Sequence, residues 1–214
     1  MNIKGIGLTA ASFALTLISA SCTQDGNNSA EDKATENQNA VIETIMSRRS
    51  VRAYEERVIP RDTMELITEC GINAPNGMNK QEWEIRVVDN PDFINGVTEL
   101  FVKENPDAAK DPGFKNIFRN APTVVFIGAP ESTYSGVNCG LLGENMILAA
   151  WSMGIGSCCL GGPVRFMNSE PASEYLKKLE FSEGYSLIYA IGFGYPAESP
   201  EAKPRDKGKI MYID

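Results

Sequence analysis

Residues 137–153, VNCGLLGENMILAAWSM, place the strongest constraint on how this chain can fold. A helix formed by these residues would be apolar on nearly every side, and such a helix lies inside a protein or across a membrane. The side chains of Asn138, Glu144 and Asn145 disfavour a position in lipid. We therefore expect a buried helix around which the other elements pack.

The other segments predict a fold of the α+β class. Helical patterns cover residues 41–46, 62–70, 92–104 and 171–179, and strand patterns cover residues 83–88, 123–127, 187–193 and 210–213. Residues 157–163 contain two glycines and a proline and predict a tight loop. Helices and strands mix without a regular βαβ alternation, which favours α+β over α/β. We expect one domain over residues 41–214, since this length is enough to bury a core.

The amino terminus has the layout of an export signal. A positive charge at Lys4 precedes an apolar run over residues 6–20, and small residues follow directly before Cys22. Residues 1–22 therefore predict a lipoprotein-type signal peptide in which Cys22 accepts the lipid. An ordinary signal peptide remains the alternative, because Ser19 stands where lipoprotein signals usually have leucine. Residues 23–40 predict a flexible polar linker, and the expected location is the bacterial cell envelope, lipid-anchored on the periplasmic side or at the surface.

The charge balance and the absence of histidine exclude several functions. A net charge of −8 disfavours nucleic acid as a partner, since phosphate backbones require a basic face. A chain without histidine has no Ser-His-Asp triad and no histidine-ligated metal site, and we expect no metal. Chemistry without histidine favours a cofactor that supplies its own reactivity.

Two basic clusters are candidates for binding a phosphate group. Arg48, Arg49, Ser50 and Arg52 place three guanidinium groups and a hydroxyl within five residues, and Lys203-Pro204-Arg205 lies near the other end of the chain. Arginine suits phosphate because its planar fork donates two parallel hydrogen bonds. Either cluster alone is also typical of an exposed basic turn.

The segments between these clusters extend the pattern. Residues 74–83 read APNGMNKQEW, residues 144–150 read ENMILAA, residues 154–157 read GIGS, and residues 194–196 read GYP. In this order, and over residues 41–214, the motifs resemble those of the nitroreductase-like FMN-dependent oxidoreductase family. One departure is Glu82, which stands where family members usually have proline.

The resemblance implies a nitroreductase-like fold, with an antiparallel-dominated sheet flanked by helices, and a site for FMN. Arg48, Arg49, Ser50 and Arg52, joined by Lys203 and Arg205, would hold the phosphate and the ribityl chain. Asn79 would hydrogen-bond the flavin ring, and the backbone of Cys159, Leu160, Gly161 and Gly162 would lie near its reactive N5 edge. In a homodimer, the loop of Pro75, Asn76, Gly77 and Met78 would serve the flavin of the partner subunit. The strand predicted at residues 210–213 would pair with the partner's sheet.

The implied reaction is hydride transfer from NAD(P)H or another reductant to a nitroaromatic, a quinone or a similar small oxidant. No side-chain acid or base is required for that step. NAD(P)H is scarce outside the cytoplasm, so the predicted export leaves the electron donor open.

Three alternatives remain open from the sequence. The chain could be a non-catalytic flavin- or ligand-binding envelope lipoprotein. It could also be a specialised family member, such as a reductive dehalogenase or a flavin-fragmenting enzyme, although only about thirty residues are free for a lid between Val88 and Thr123. The neighbouring Cys158 and Cys159 are either a redox-active dithiol or two small residues lining a tight loop, and the second interpretation is favoured because vicinal disulfides are strained.

Overall fold

The computed structural model describes residues 39–213. The predicted signal peptide, Cys22 and nearly all of the predicted linker lie outside the described residues. Ala40–Asp214 form one unit of the chain, and the last two residues of the predicted linker belong to its first helix. No helix within residues 39–213 is long and apolar enough to cross a membrane.

A four-stranded antiparallel sheet forms the centre of the fold. The strands are β1 (Glu84–Val88), β2 (Thr123–Pro130), β3 (Gly156–Cys159) and β4 (Tyr185–Gly194). Their order across the sheet is β1-β2-β4-β3, and every neighbouring pair is antiparallel. The predicted antiparallel sheet of an α+β fold is confirmed.

Six helices accompany the sheet within the described residues. They are α1 (residues 39–47), α2 (Arg61–Ile72), α3 (Pro91–Glu104), α4 (Ser135–Ser152), α5 (Gly161–Met167) and α6 (Ser173–Lys177). The start of α3 follows from its sequence: the Asn90 side chain accepts hydrogen bonds from the backbone N–H groups of Asp92 and Phe93, and Pro91 occupies the first turn.

The two faces of the sheet bury separate clusters of apolar side chains. Val125 and Ile127 of β2 pack with residues of α2 and α4, whereas Val124 and Phe126 pack with residues of α3 and α5. Successive side chains of a strand point to opposite faces, so a strand covered on both sides is apolar at every position. This explains why the continuous run at residues 123–127 predicts β2.

Helix α4 differs from its prediction. The side chains of Leu142 and Met146 are fully buried against α2 and the sheet, but Val137 is 59% exposed and Leu141 is 41% exposed. The prediction of a helix buried on all sides is therefore wrong for a single chain. Only one side of α4 has a covering element within residues 39–213.

Two further predictions are corrected by the structure. Residues 156–159 are not part of a loop but form β3, because β4 offers a free edge on which Ser157 pairs with Phe193 and Cys158 with Gly192. Residues 210–213 form no strand within the described chain; they follow a short helical turn at Lys207–Lys209 and are exposed. Pairing of this segment with a second copy stays a prediction.

Candidate functional site

Residues 48–52, called the arginine segment below, lie directly against β3. The backbone N–H of Val51 donates to the carbonyl oxygen of Ser157 at 2.9 Å, and Ser50 forms a parallel bridge with Ser157. Gly156 makes this approach possible, because a Cβ atom there would lie 2.8 Å from Cγ2 of Val51. A glycine at position 156 thus sets how closely the basic residues approach the strand.

The ends of the arginine segment are fixed by two aromatic side chains. Trp151 Nε1 donates to the Ser47 hydroxyl at 2.9 Å, which joins the ends of α4 and α1. The Tyr54 hydroxyl donates to the Val51 carbonyl at 2.5 Å. Burial raises the pKa of Tyr54 well above its usual range, so this hydroxyl remains a donor at any neutral pH.

The three guanidinium groups of the arginine segment have different surroundings. Arg49 Nη1 donates to the carbonyl oxygens of Met46 and Arg48 at 2.9 and 2.8 Å, at the carboxyl end of α1. A cation at this end of a helix is also favoured by the helix dipole. Arg52 Nη1 donates to the Ser50 carbonyl at 3.2 Å. Within residues 39–213 the Arg48 guanidinium makes no hydrogen bond, so it is the most available group for a ligand.

Arg48 lies near a tyrosine and a thiol. Burial raises the pKa of Tyr189 well above its usual range, and the positive charge of Arg48 partly offsets this rise. The Tyr189 hydroxyl therefore stays protonated and donates to Cys159 Sγ at 2.8 Å. This fixes the thiol of Cys159 on the face of the sheet that packs against α4.

The thiol of Cys158 lies on the other face. Cys158 pairs with Gly192 and Cys159 with Ile191, and paired residues of antiparallel strands share a face. Both thiols are free, and burial raises the pKa of Cys158. Two side chains on opposite faces of a strand cannot join without breaking the strand, so the structure favours two small residues over a redox-active pair.

Gly161 and Gly162 provide an open surface at the start of α5. Both residues are exposed, and a Cβ atom built on either would meet nothing within 4 Å. One residue, the buried Leu160, separates them from the end of β3. A flat ring could therefore approach this backbone closely from the side of the arginine segment.

No hydrogen bond within residues 39–213 joins the second predicted cluster to the first. Glu198 Oε1 accepts hydrogen bonds from the backbone N–H groups of Arg52 and Ala53 at 2.5 and 3.2 Å. The chain then leaves the arginine segment, and Lys203 and Arg205 are exposed. Because five extended residues span up to about 17 Å, Lys203 could reach the arginine segment or a second copy.

The predicted flavin-ring loop lies at the opposite edge of the sheet. Pro75–Asn79 lead into β1, and two strands separate β1 from β3, a distance of roughly 14 Å at normal strand spacing. Asn76 Oδ1 accepts from the Gln81 N–H at 2.8 Å, and Met78 and Asn79 both have a φ of 52°. Within residues 39–213 no hydrogen bond joins Asn79 to the arginine segment, and service of this loop to another copy stays a prediction.

A cavity beside the arginine segment was not predicted from the sequence. It has a volume of about 630 Å³ and shares Arg52 and Gly162 with the predicted flavin site. Two further arginines, Arg119 and Arg165, also line it, together with the aromatic rings of Phe101, Phe114 and Phe166. We call it the arginine cavity. The only sequence signal for it was the dipeptide Arg119-Asn120 at the end of a loop, which alone is unspecific.

Arg119 is held in an unfavourable backbone conformation. Its φ is 57° and that of Asn120 is 65°, and the left-handed region costs an ordinary residue about 1–2 kcal/mol. Two asparagines hold this loop: Asn116 Oδ1 accepts from the N–H groups of Phe118 and Asn120, and Asn120 Oδ1 accepts from the N–H groups of Lys115 and Asn116. Strain of this kind persists where the surroundings over-determine it, often at functional sites.

The model of the nitroreductase family matches residues 45–195. The chain belongs to the nitroreductase family. This confirms the resemblance stated from the motifs, and the matched range contains the arginine segment, the arginine cavity and all four strands.

Three known proteins illustrate what this chain is similar to. A nitroreductase crystal structure with bound FMN from Bacteroides fragilis is 30% identical, covers 81% of this chain and 98% of that chain, and superimposes with a TM-score of 0.72. The NADPH-flavin oxidoreductase of Vibrio harveyi is 27% identical over 78% of this chain and 70% of its own. The iodotyrosine deiodinase of Haliscomenobacter hydrossis is 25% identical over 78% of this chain and 85% of its own.

Proposed function

We propose that this chain is an FMN-dependent oxidoreductase that takes electrons from NAD(P)H and passes them to a small-molecule oxidant such as a nitroaromatic or a quinone. The observation that carries the proposal is the position of the arginine segment beside the exposed Gly161 and Gly162. Family membership and the FMN-bound and NADPH-dependent relatives support it.

The residues present fit FMN in both charge and shape. Arg48 and the Ser50 hydroxyl would bind the phosphate, because the Arg48 guanidinium is not engaged elsewhere in the described chain. The open backbone of Gly161 and Gly162 would accept the flat ring, whose approach a side chain there would obstruct. FMN, when bound, accepts a hydride and returns electrons to the oxidant.

The protein's own part is to bind, orient and stabilise charge. Arg48 and Arg52 place positive charge beside β3, where it would balance the negative charge of the bound cofactor. Tyr54 and Trp151 hold the arginine segment in place through their hydrogen bonds. The hydride step requires no side chain to transfer a proton, which agrees with a sequence that contains no histidine.

We expect the purified full chain to be yellow and to lose its flavin absorbance when NADH or NADPH is added without oxygen. Addition of a nitroaromatic such as 4-nitrobenzamide should then restore the absorbance. A colourless protein that refuses added FMN would contradict the proposal. A yellow protein that neither nucleotide bleaches would instead favour the non-catalytic flavin-binding alternative.

We also propose that the active protein is a homodimer. Apolar side chains are exposed on α1, on the outer side of α4 and in the C-terminal segment, and such surfaces usually mark an interface. These side chains include Val41, Ile42, Ile45, Met46, Tyr134, Val137, Leu141, Ile210, Met211, Tyr212 and Ile213. In this dimer, Lys203, Arg205 and the Pro75–Asn79 loop would complete the site of the other copy. Light scattering after size-exclusion chromatography should give twice the chain mass, and a monomer that still retains FMN would contradict the proposal.

Reductive dehalogenation is the second candidate, and the similarity to the iodotyrosine deiodinase favours it. The helical elements between β1 and β2 are α3 and a short turn at Pro106–Lys110, so this part of the chain offers little room for a lid over the site. Halide release from a halogenated tyrosine in the presence of reductant would distinguish this reaction from nitro-group reduction.

A further inference from the structure

Glu198 bridges two backbone donors at the end of the arginine segment. Its Oε1 atom accepts hydrogen bonds from the N–H group of Arg52 at 2.5 Å and from that of Ala53 at 3.2 Å. Within residues 39–213 neither N–H group has another acceptor. The side chain of Glu198 is exposed, so its carboxylate exchanges water for these two donors. Hydrogen bonds to an ionised acceptor are stronger than those between neutral groups.

The chain that follows the arginine segment is fixed by backbone contacts. The N–H of Ala197 donates to the carbonyl oxygen of Ala53, and the N–H of Glu55 donates to that of Tyr195, both at 2.9 Å. These contacts place the next residue, Glu198, beside the arginine segment. They begin at Ala53 and lead away from the segment, so the carboxylate supplies the one contact from this strip of chain that reaches into it.

The carboxylate of Glu198 also determines which donors are left for a ligand. Successive backbone N–H groups that point to one side form an anion-binding concavity, and here the chain's own carboxylate occupies it. A phosphate group would meet negative charge at this point of the backbone. The guanidinium of Arg48 has no hydrogen-bond acceptor in the described part of the chain. An anion is therefore directed to the guanidinium side of the segment.

We propose that Glu198 is a positioning residue for the phosphate of FMN. By holding the backbone of Arg52 and Ala53, it fixes the arginine segment in the orientation that presents Arg48 and Ser50 to the phosphate. The inference rests on the FMN site of the proposed function, and Glu198 itself does not contact the cofactor. A side chain on a backbone that is fixed before binding loses less conformational freedom when a ligand binds. The contribution of Glu198 is thus to the affinity for the phosphate and not to the affinity for the ring.

Binding of FMN and of riboflavin to the flavin-free full chain tests this proposal, because riboflavin is the same molecule without the phosphate. Glu198→Ala should weaken FMN binding about five- to twentyfold and change riboflavin binding less than about twofold. Fluorescence titration measures both affinities. A variant that keeps its riboflavin affinity is also shown to be folded.

Glu198→Gln separates the hydrogen bonds from the charge. The amide oxygen of glutamine can still accept from both N–H groups, and the substitution removes a negative charge that repels the phosphate. FMN binding by this variant should be no more than about threefold weaker than in the unaltered protein. A loss as large as that in Glu198→Ala would overturn positioning through the two hydrogen bonds.

Glu201→Ala is the matched control. Glu201 is an exposed carboxylate of the same C-terminal segment, and it forms no ion pair within residues 39–213. Its replacement should change both affinities less than about twofold. The same FMN affinity in Glu198→Ala as in this control, or an equal loss of FMN and riboflavin binding in Glu198→Ala, would overturn the proposal.

The result is separable from the proposed function. A protein that NAD(P)H bleaches, but in which Glu198→Ala weakens FMN and riboflavin binding equally, would keep the oxidoreductase and overturn the positioning role. A protein that neither nucleotide bleaches, but in which Glu198→Ala weakens FMN binding selectively, would support the positioning role and overturn the oxidoreductase.

Discussion

Arg48→Ala is expected to weaken FMN binding to the full chain about ten- to a hundredfold. A hydrogen bond to a charged group is worth about 1.5–3 kcal/mol, and within the described residues the Arg48 guanidinium has no other hydrogen bond to compensate. Removal of the side chain should leave the fold intact, since Arg48 is only half-buried at the surface. Fluorescence titration of the flavin-free protein with FMN measures the change.

The matched control for this variant is Arg61→Ala. Arg61 is an exposed arginine that begins α2 and pairs with Asp89 at 3.6 Å near the far edge of the sheet. Its replacement should change FMN affinity less than about twofold, because exposed ion pairs contribute little. The same affinity in Arg48→Ala as in the unaltered protein would show that the arginine segment is ordinary surface charge.

Gly192→Ala is expected to lower the free energy of unfolding by about 1–3 kcal/mol, the usual cost of overfilling a packed core. A Cβ atom at Gly192 would lie 2.6 Å from Cβ of Ala121 and 3.3 Å from the carbonyl oxygen of Phe118. Neither atom can move by a side-chain rotation, so the strand and the loop must separate. The midpoint of urea unfolding measures the loss.

A second substitution makes this result specific. Ala121→Gly removes the Cβ atom with which the new methyl group of Gly192→Ala would clash. The double variant should therefore lose less free energy of unfolding than the sum of the losses in the two single variants. This coupling should exceed about 0.5 kcal/mol, the usual error of additivity for independent sites. Additive losses would show that the two positions do not meet.

Elements with local signals could be predicted from the sequence. The apolar run TVVFI predicts β2 because both of its faces are covered, and Asn90-Pro91-Asp92 predicts the start of α3 because the cap is made by neighbouring residues. The arginine segment belongs to this group as well, since three arginines within five residues are visible without a structure.

Features that depend on distant residues could not be predicted. The segment GSCC is a strand only because β4 offers it a free edge, and short strands follow their context more than their own propensity. The exposed side of α4 was not predicted because the sequence is apolar there, and nothing in the described part of one chain covers it. The arginine cavity is lined by residues from separate segments, near positions 52, 101–120 and 162–169, so no local motif predicts it.

The hydrogen bonds of Glu198 bear on when the site is completed during synthesis. They join Glu198 to Arg52 across 146 positions in the sequence, and such distant contacts form late because the intervening chain must be ordered first. The arginine segment leaves the ribosome well before Glu198 and the two basic residues after it. Strand β4 lies inside the sheet and ends at Gly194, directly before the segment of Glu198, so the sheet and the proposed phosphate site are completed at the same late stage of synthesis.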